Sequence, residues 1–250
     1  MSRFGIGVAF ISLVVFGTSA SAQQASRCAD CHYAQNNVPG RDHLFDWDRS
    51  PHGRNNVGCE KCHGGNSTDF ERTLAHRGIL NSGNKKSPVN RVNLPATCGA
   101  CHVGPFVAFQ GSRHYELLRS GDQRGPTCAT CHDAVAGQLL SPPALEKQCS
   151  LCHGPTEVAP RAERARNARA MYESLNAVRA QLKLANAIIK KVDDRQRRAD
   201  LTNEYEQASV PLTRAINAGH KFVYDELDEY LKVAQGRVEK LMSRIANRAD

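Results

Sequence analysis

The chain has 250 residues, and its 33 lysines and arginines outnumber its 25 aspartates and glutamates, which gives a formal charge of +8. Its longest apolar run, Phe4 to Phe16, is shorter than the roughly 20 residues of a membrane-spanning helix, so the composition excludes stable membrane insertion. The length suggests one or two domains, and the sequence is rich in cysteine and histidine, with 10 of each.

The amino terminus has the order of a secretory signal. Arg3 precedes the apolar run, and the small residues Ala20-Ser21-Ala22 follow it. This order predicts a signal peptide over residues 1–22, removed after Ala22. We therefore expect the mature chain to be exported through the general secretory route, to the periplasm or the extracellular space.

Composition divides the rest of the chain into two predicted domains. Residues 23–155 contain every cysteine and nine of the ten histidines, whereas residues 156–250 contain only His220. In the first domain, five copies of Cys-x-x-Cys-His account for all ten cysteines. The five motifs are Cys28/Cys31/His32, Cys59/Cys62/His63, Cys98/Cys101/His102, Cys128/Cys131/His132 and Cys149/Cys152/His153.

This motif is typical of covalent haem attachment. The two thiols bond to the vinyl groups of one haem, and the adjoining histidine becomes the proximal ligand of its iron. The sequence therefore predicts five c-type haems attached to residues 23–155. Zinc is the alternative, because paired Cys-x-x-Cys units also bind zinc. We favour haem, since every pair carries a histidine at the same offset and haem attachment in bacteria takes place outside the cytoplasm.

The segments between the motifs are rich in glycine, asparagine and proline, which predicts loops with short helices. We expect one or two helical turns over residues 70–77, carrying His76, and one helix over residues 105–118. The aromatic residues Phe106, Phe109 and Tyr115 are predicted to pack on porphyrin faces.

Residues 156–250 have helical periodicity. Apolar residues recur at steps of three and four in three stretches, residues 171–192, 201–215 and 224–245. Pro211 is predicted to kink or restart the middle segment, with Ser209 as a possible N-cap. The predicted fold class is mainly α, a loop-rich haem domain followed by two long antiparallel helices with a kinked middle piece, packed as a hairpin or bundle. A dimeric coiled coil is the alternative.

Five histidines lie outside the motifs, as many as the predicted irons. We expect them to be distal iron ligands. They are His43, His52, His76, His114 and His220. Two of them share the pattern Ser-x-His, a weak internal repeat. The alternatives are loop histidines hydrogen-bonded to a propionate or water and, for His220, a solvated side chain beside Lys221. Methionine ligation is disfavoured, because Met171 and Met242 lie in the helical part. Bis-histidine ligation predicts low reduction potentials.

The cofactors change how the charge should be interpreted. Residues 23–155 contain 14 basic against 11 acidic residues. Each haem brings two propionates, which together would make this part acidic, while residues 156–250 would stay basic. This distribution argues against nucleic-acid binding.

The run from Cys98 through Phe109 and Ser112-x-His114 to the motif ending at His132 resembles the multihaem cytochrome c superfamily, which includes cytochrome c-554, hydroxylamine oxidoreductase and the pentahaem nitrite reductases. The resemblance covers residues 28–155, and the helical tail is similar to that of the larger members by pattern only. It implies parallel and perpendicular haem pairs placed close enough for rapid electron tunnelling. The sequence departs from the nitrite reductases because it contains no Cys-x-x-Cys-Lys motif.

Three functions are compatible with these features. The first is an electron carrier between redox partner proteins, a quinol-linked donor and a terminal reductase. The second is an enzyme acting on a small nitrogen or sulfur compound at one open haem. The third is a subunit of a polymeric extracellular cytochrome, and a homo-oligomer of another kind is also compatible. The carrier is favoured, with no catalytic residues, because the histidines suffice for both axial positions of every iron.

Overall fold

The computed structural model describes residues 26–35, 41–133, 135, 140–157 and 159–247. The predicted signal peptide lies outside these residues. Within them the chain forms 13 α-helices and no β-strand, which confirms the prediction of a mainly α fold. None of the helices in these ranges is both long enough and apolar enough to cross a membrane.

Ten short helices make up the part of the chain that carries the five motifs. They are α1 (Arg27–Ala34), α2 (Arg41–Arg49), α3 (Pro51–Arg54), α4 (Glu60–His63), α5 (Arg72–Ala75), α6 (Leu94–Gly99), α7 (Val103–Gln110), α8 (Arg113–Arg119), α9 (Cys128–His132) and α10 (Pro142–His153). Three of the motif histidines, His63, His132 and His153, are the last residues of their helices. Their rings therefore lie where a helix ends and the chain turns. The turns predicted over residues 70–77 correspond to α5.

Buried serine caps fix the start of two of these helices. The Ser50 hydroxyl accepts a hydrogen bond from the Gly53 amide before α3, and the Ser112 hydroxyl accepts one from the Tyr115 amide before α8, both at 3.1 Å. Each serine is only 2% exposed. The caps explain the Ser-x-His repeat, because a serine cap places the histidine in the first helical turn. The Ser112 cap also explains why residues 105–118, which were predicted to form one helix, form the two helices α7 and α8.

Three long helices form the carboxyl-terminal part. They are α11 (Ala162–Ile189), α12 (Arg195–Lys221) and α13 (Tyr224–Ala246). Side chains from all three helices form one hydrophobic core. The buried residues are Leu175, Val178, Leu182, Ala185, Ile189, Leu201, Ala208, Leu212, Ala215, Leu231, Ala234, Val238 and Leu241. The predicted apolar stripes thus face one another within the chain, in a bundle of three long helices where we expected two and a kinked piece.

The prediction of a restart at Pro211 is wrong, since α12 is continuous across this buried residue. Proline lacks the amide hydrogen that would bond to the Gln207 carbonyl four residues earlier. Arg237 of α13 supplies another donor, its Nη1 lying 2.7 Å from that oxygen. Ser209 is not an N-cap, because its hydroxyl donates to the Tyr205 carbonyl inside the helix at 2.8 Å. A contact with a neighbouring helix therefore compensates for the proline.

The end of α12 packs on α7. A Cβ added to Gly104 would lie 3.2 Å from Asn217 Oδ1, and one added to Gly111 would lie 3.7 Å from the Lys221 side chain. At Gly104 the absence of a side chain lets the Asn217 amide approach α7 without a tight contact, whereas the separation at Gly111 is an ordinary van der Waals distance. This packing places the last turn of α12, which carries His220, beside the short helices of the motif region.

Candidate functional site

The ten histidines form five pairs of facing rings. Each pair joins one motif histidine to one histidine from outside the motifs, with ring centres 5.8–6.0 Å apart. The pairs are His32–His76, His43–His63, His52–His102, His114–His153 and His132–His220. The structure therefore brings each predicted distal residue beside a different motif.

The separation fits a metal between two imidazole nitrogens. A metal–histidine bond is about 2 Å long and the ring centre lies about 1 Å beyond the nitrogen, so two rings on opposite sides of one metal have centres about 6 Å apart. The angles between the paired planes range from 1° to 88°, yet the distances agree within 0.2 Å. Direct ring packing would give separations that change with the angle. The constant spacing fits the same kind of group between the rings in all five pairs.

Backbone carbonyls orient four of the rings. The Nδ1 atoms of His52, His76, His153 and His220 lie 2.7–3.0 Å from carbonyl oxygens. The acceptors are, in the same order, Val135, Arg72, Ala159 and Ile216. Because a carbonyl only accepts, Nδ1 carries the hydrogen and Nε2 keeps the lone pair that a metal requires. Such a hydrogen bond also fixes the ring plane.

Burial favours the neutral form of four of the paired rings. The pKa of His114 is lowered to about 4, first because the ring is removed from water and then because His153 is close. Burial is also the first cause that lowers the pKa values of His32, His63 and His132, and the paired histidine is the second. The neutral imidazole is the form that binds a metal.

The donor set fits haem. Within the described ranges, no three or more histidine, cysteine, aspartate or glutamate side chains converge on one point where they could hold a metal ion. Each histidine pair instead offers two imidazoles with ring centres 5.8–6.0 Å apart. A structural zinc ion takes four protein ligands, whereas haem iron takes four nitrogens from the porphyrin and leaves two axial positions to the protein.

The cysteines of consecutive motifs are neighbours, and none of the ten is in a disulfide. Neighbouring thiols are Cys28 and Cys59, Cys62 and Cys98, Cys98 and Cys128, and Cys131 and Cys149. Burial, followed by the neighbouring thiol, raises the pKa values of Cys59 and Cys131 to about 11. The motifs therefore follow one another in space in the same order as in the sequence.

The three remaining predicted haem-attachment residues are each the second cysteine of a motif, and one of them, Cys101, also lies near Cys62. Cys31 and Cys101 are exposed, and Cys152 is partly buried. The Cys31 sulfur accepts a hydrogen bond from Gln35 Nε2 at 3.4 Å, and Cys152 lies beside Cys149 of its own motif. The ten thiols are thus not equivalent, because Cys31, Cys62 and Cys101 are exposed and the other seven are partly buried. Covalent attachment of haem stays a prediction at all ten motif cysteines, Cys31, Cys101 and Cys152 included.

An aromatic cluster lies beside the pair formed by His114. Phe109 and Tyr115 pack edge to face with ring centres 5.5 Å apart. Phe222, which follows α12, contacts both Phe109 and His114. No sequence pattern pointed to Phe222, because neither a motif nor helical periodicity distinguishes it. The packing of Phe106, Phe109 and Tyr115 on porphyrin faces stays a prediction.

Comparison with known proteins identifies a similar family for part of the chain. Residues 13–64, which include the first two motifs, match the family model described as cytochrome c554 and c-prime. No curated protein and no solved structure matches the chain. The family match supports a multihaem c-type cytochrome that carries covalently bound haem and acts in electron transfer.

Proposed function

We propose that the protein is a periplasmic electron carrier with five c-type haems, each bound between two histidines. The observation that carries the proposal is the set of five ring pairs, since each contains one motif histidine and all have the same spacing. The family match and the five motifs support haem as the bound group.

In this proposal the two kinds of histidine have separate roles. The cysteines of each motif hold one haem covalently and the motif histidine is the proximal ligand, while His76, His43, His52, His220 and His114 are the distal ligands for motifs one to five in that order. When bound, haem supplies a one-electron couple at its iron. With haem bound, two imidazoles would hold each iron in the same coordination in both oxidation states and would leave no position for a substrate.

The order of the motifs supports transfer along the whole chain. Consecutive motifs have neighbouring thiols, so the five sites form one connected series. Electrons would enter at one end of the series from one redox partner and leave at the other end to a second partner. The use of histidine in place of methionine as distal ligand supports low potentials.

The helical bundle has a place in this proposal because it supplies His220. The ring of His220 faces that of His132 with the two planes within 1° of parallel. Its Nδ1 hydrogen bond to the Ile216 carbonyl, at 2.7 Å, leaves Nε2 free for a metal. The bundle therefore would complete the fourth site as well as cover it.

Mass spectrometry of the intact exported protein tests the proposal. We expect the mass of residues 23–250 plus five haems. After the protein has been reduced, its absorption spectrum should change rapidly from the ferrous to the ferric form when an electron acceptor protein is added. A mature product that carries zinc and no haem would overturn the proposal, and a product with fewer than five haems would overturn the pentahaem assignment.

A further inference from the structure

The turn after α12 contains a residue in an unfavourable backbone conformation. Phe222 is the C-cap of α12, with φ 60° and ψ 34°. Glycine is usual at this left-handed position, because a Cβ is disfavoured there. The Phe222 side chain is 50% exposed, so burial in a core does not explain why phenylalanine occupies it. A strained residue of this kind indicates a specific role for its side chain.

The Phe222 ring lies directly against His114. The two ring centres are 4.3 Å apart and the planes are perpendicular, which is the shortest ring separation in the described part of the chain. Phe109 packs on Phe222 with ring centres 6.3 Å apart. Phe222 therefore contacts both Phe109 and the imidazole of a proposed distal ligand.

His114 lacks the hydrogen bond that orients other proposed distal ligands. At His52, His76 and His220 a backbone carbonyl contacts Nδ1 and fixes the ring plane. The Nδ1 atom of His114 is buried and has no hydrogen-bond partner among the described residues. Ring packing is then the contact that can hold its plane, and Phe222 provides the closest packing.

We infer that Phe222 is a positioning residue that fixes the plane of the His114 imidazole at the fifth haem. Its contact sets the 52° angle between the His114 and His153 rings. The inference rests on the proposed function, because the angle affects a haem only when both rings bind its iron. Phe222 is two residues after His220, so one short turn would supply the ligand of the fourth haem and orient the ligand of the fifth.

The angle between two axial imidazole planes has a spectroscopic consequence. It changes the splitting of the iron d orbitals, and this splitting determines the g values of a low-spin ferric haem in electron paramagnetic resonance (EPR). A change in the His114 plane should therefore shift the EPR signal of one haem and leave the other four signals unchanged. A residue that only closes the helix would not produce this effect.

Low-temperature EPR of two variants, each loaded with haem, tests the inference. Phe222→Gly removes the ring and suits the left-handed backbone, so the turn should form at least as well as before. Phe222→Tyr keeps the ring and the strain. Phe70→Ala is the control, because it removes another exposed aromatic ring, one that packs under the Arg27 guanidinium at 4.2 Å.

We expect Phe222→Gly to shift one of five low-spin signals and Phe222→Tyr and Phe70→Ala to keep all five. Unchanged signals in Phe222→Gly would overturn the inference, as would the same shift in Phe222→Tyr, because that variant keeps both the ring and the backbone conformation and the shift would then follow any substitution at this position. If the glycine variant fails to assemble, Phe222→Leu replaces it, since leucine fills the space without a planar face. Five low-spin haems in the unchanged protein test the proposed function separately.

Discussion

Replacement of His220 by alanine tests whether the bundle supplies an iron ligand. In the proposed fourth site the two iron ligands from the protein are His132 and His220, with ring centres 6.0 Å apart, so the variant should have one vacant axial position. The rest of α12 should stay in place, because Asn217 and Lys221 still pack beside the glycines of α7. Loss of the Nδ1 hydrogen bond should cost about 1 kcal/mol of stability, which is small beside the roughly 5–15 kcal/mol of a typical domain.

The His220→Ala variant should differ from the unmodified protein in the spin state and carbon monoxide binding of a single haem. One haem in five should become high spin, and the reduced variant should bind one carbon monoxide per protein. Added imidazole should restore the low-spin spectrum, because it can occupy the position left by the side chain. Lys221→Ala is the matched control, since it changes the adjacent residue and removes a partly exposed ion pair with Glu226 and the side chain beside Gly111, but no proposed iron ligand. Five low-spin haems in His220→Ala, with no carbon monoxide bound, would refute the reasoning and leave the bundle as a cover.

Three further predictions concern the fold. Leu241→Ala should lower the free energy of unfolding by about 2–5 kcal/mol in chemical denaturation and leave the haem spectrum unchanged, because Leu241 is 1% exposed in the bundle core and far along α13 from the turn at Phe222. Ser112→Ala should destabilise the protein by about 1 kcal/mol in the same assay, through loss of the cap of α8, whereas Ser120→Ala should have little effect. Protein produced without haem should keep the circular dichroism of the bundle and lose that of residues 26–155, because the main hydrophobic core lies within residues 175–241. Complete loss of helicity would show that the bundle depends on the haem region.

Local sequence patterns predicted where the long helices lie, but they predicted poorly where a helix is interrupted. The spacing of apolar residues identified three helical stretches, of which two were predicted as long helices and the middle one as a kinked piece, because a stripe at steps of three and four is a property of the helix itself. The predicted restart at Pro211 was wrong because the compensating donor, Arg237, lies 30 residues away on another helix. The Ser-x-His repeat was visible in the sequence, but its cause, a buried serine cap, became visible only in the structure.

The candidate site could also be predicted only in part. The motifs and the number of spare histidines could be found by inspection of the sequence. The pairing of the histidines could not be predicted, since partners such as His132 and His220 are far apart in the sequence and no spacing rule connects them. Phe222 also escaped prediction, because its role depends on a backbone conformation and on a contact with His114 that no local pattern encodes.

Titration of the dithionite-reduced, unmodified protein with carbon monoxide tests the central claim most directly. A carrier whose irons all have two histidine ligands has no axial position open, so we predict that no carbon monoxide binds at ligand concentrations that saturate the His220→Ala variant. Stoichiometric binding at one haem of the unmodified protein, together with turnover of nitrite or hydroxylamine, would contradict the claim and identify the protein as an enzyme.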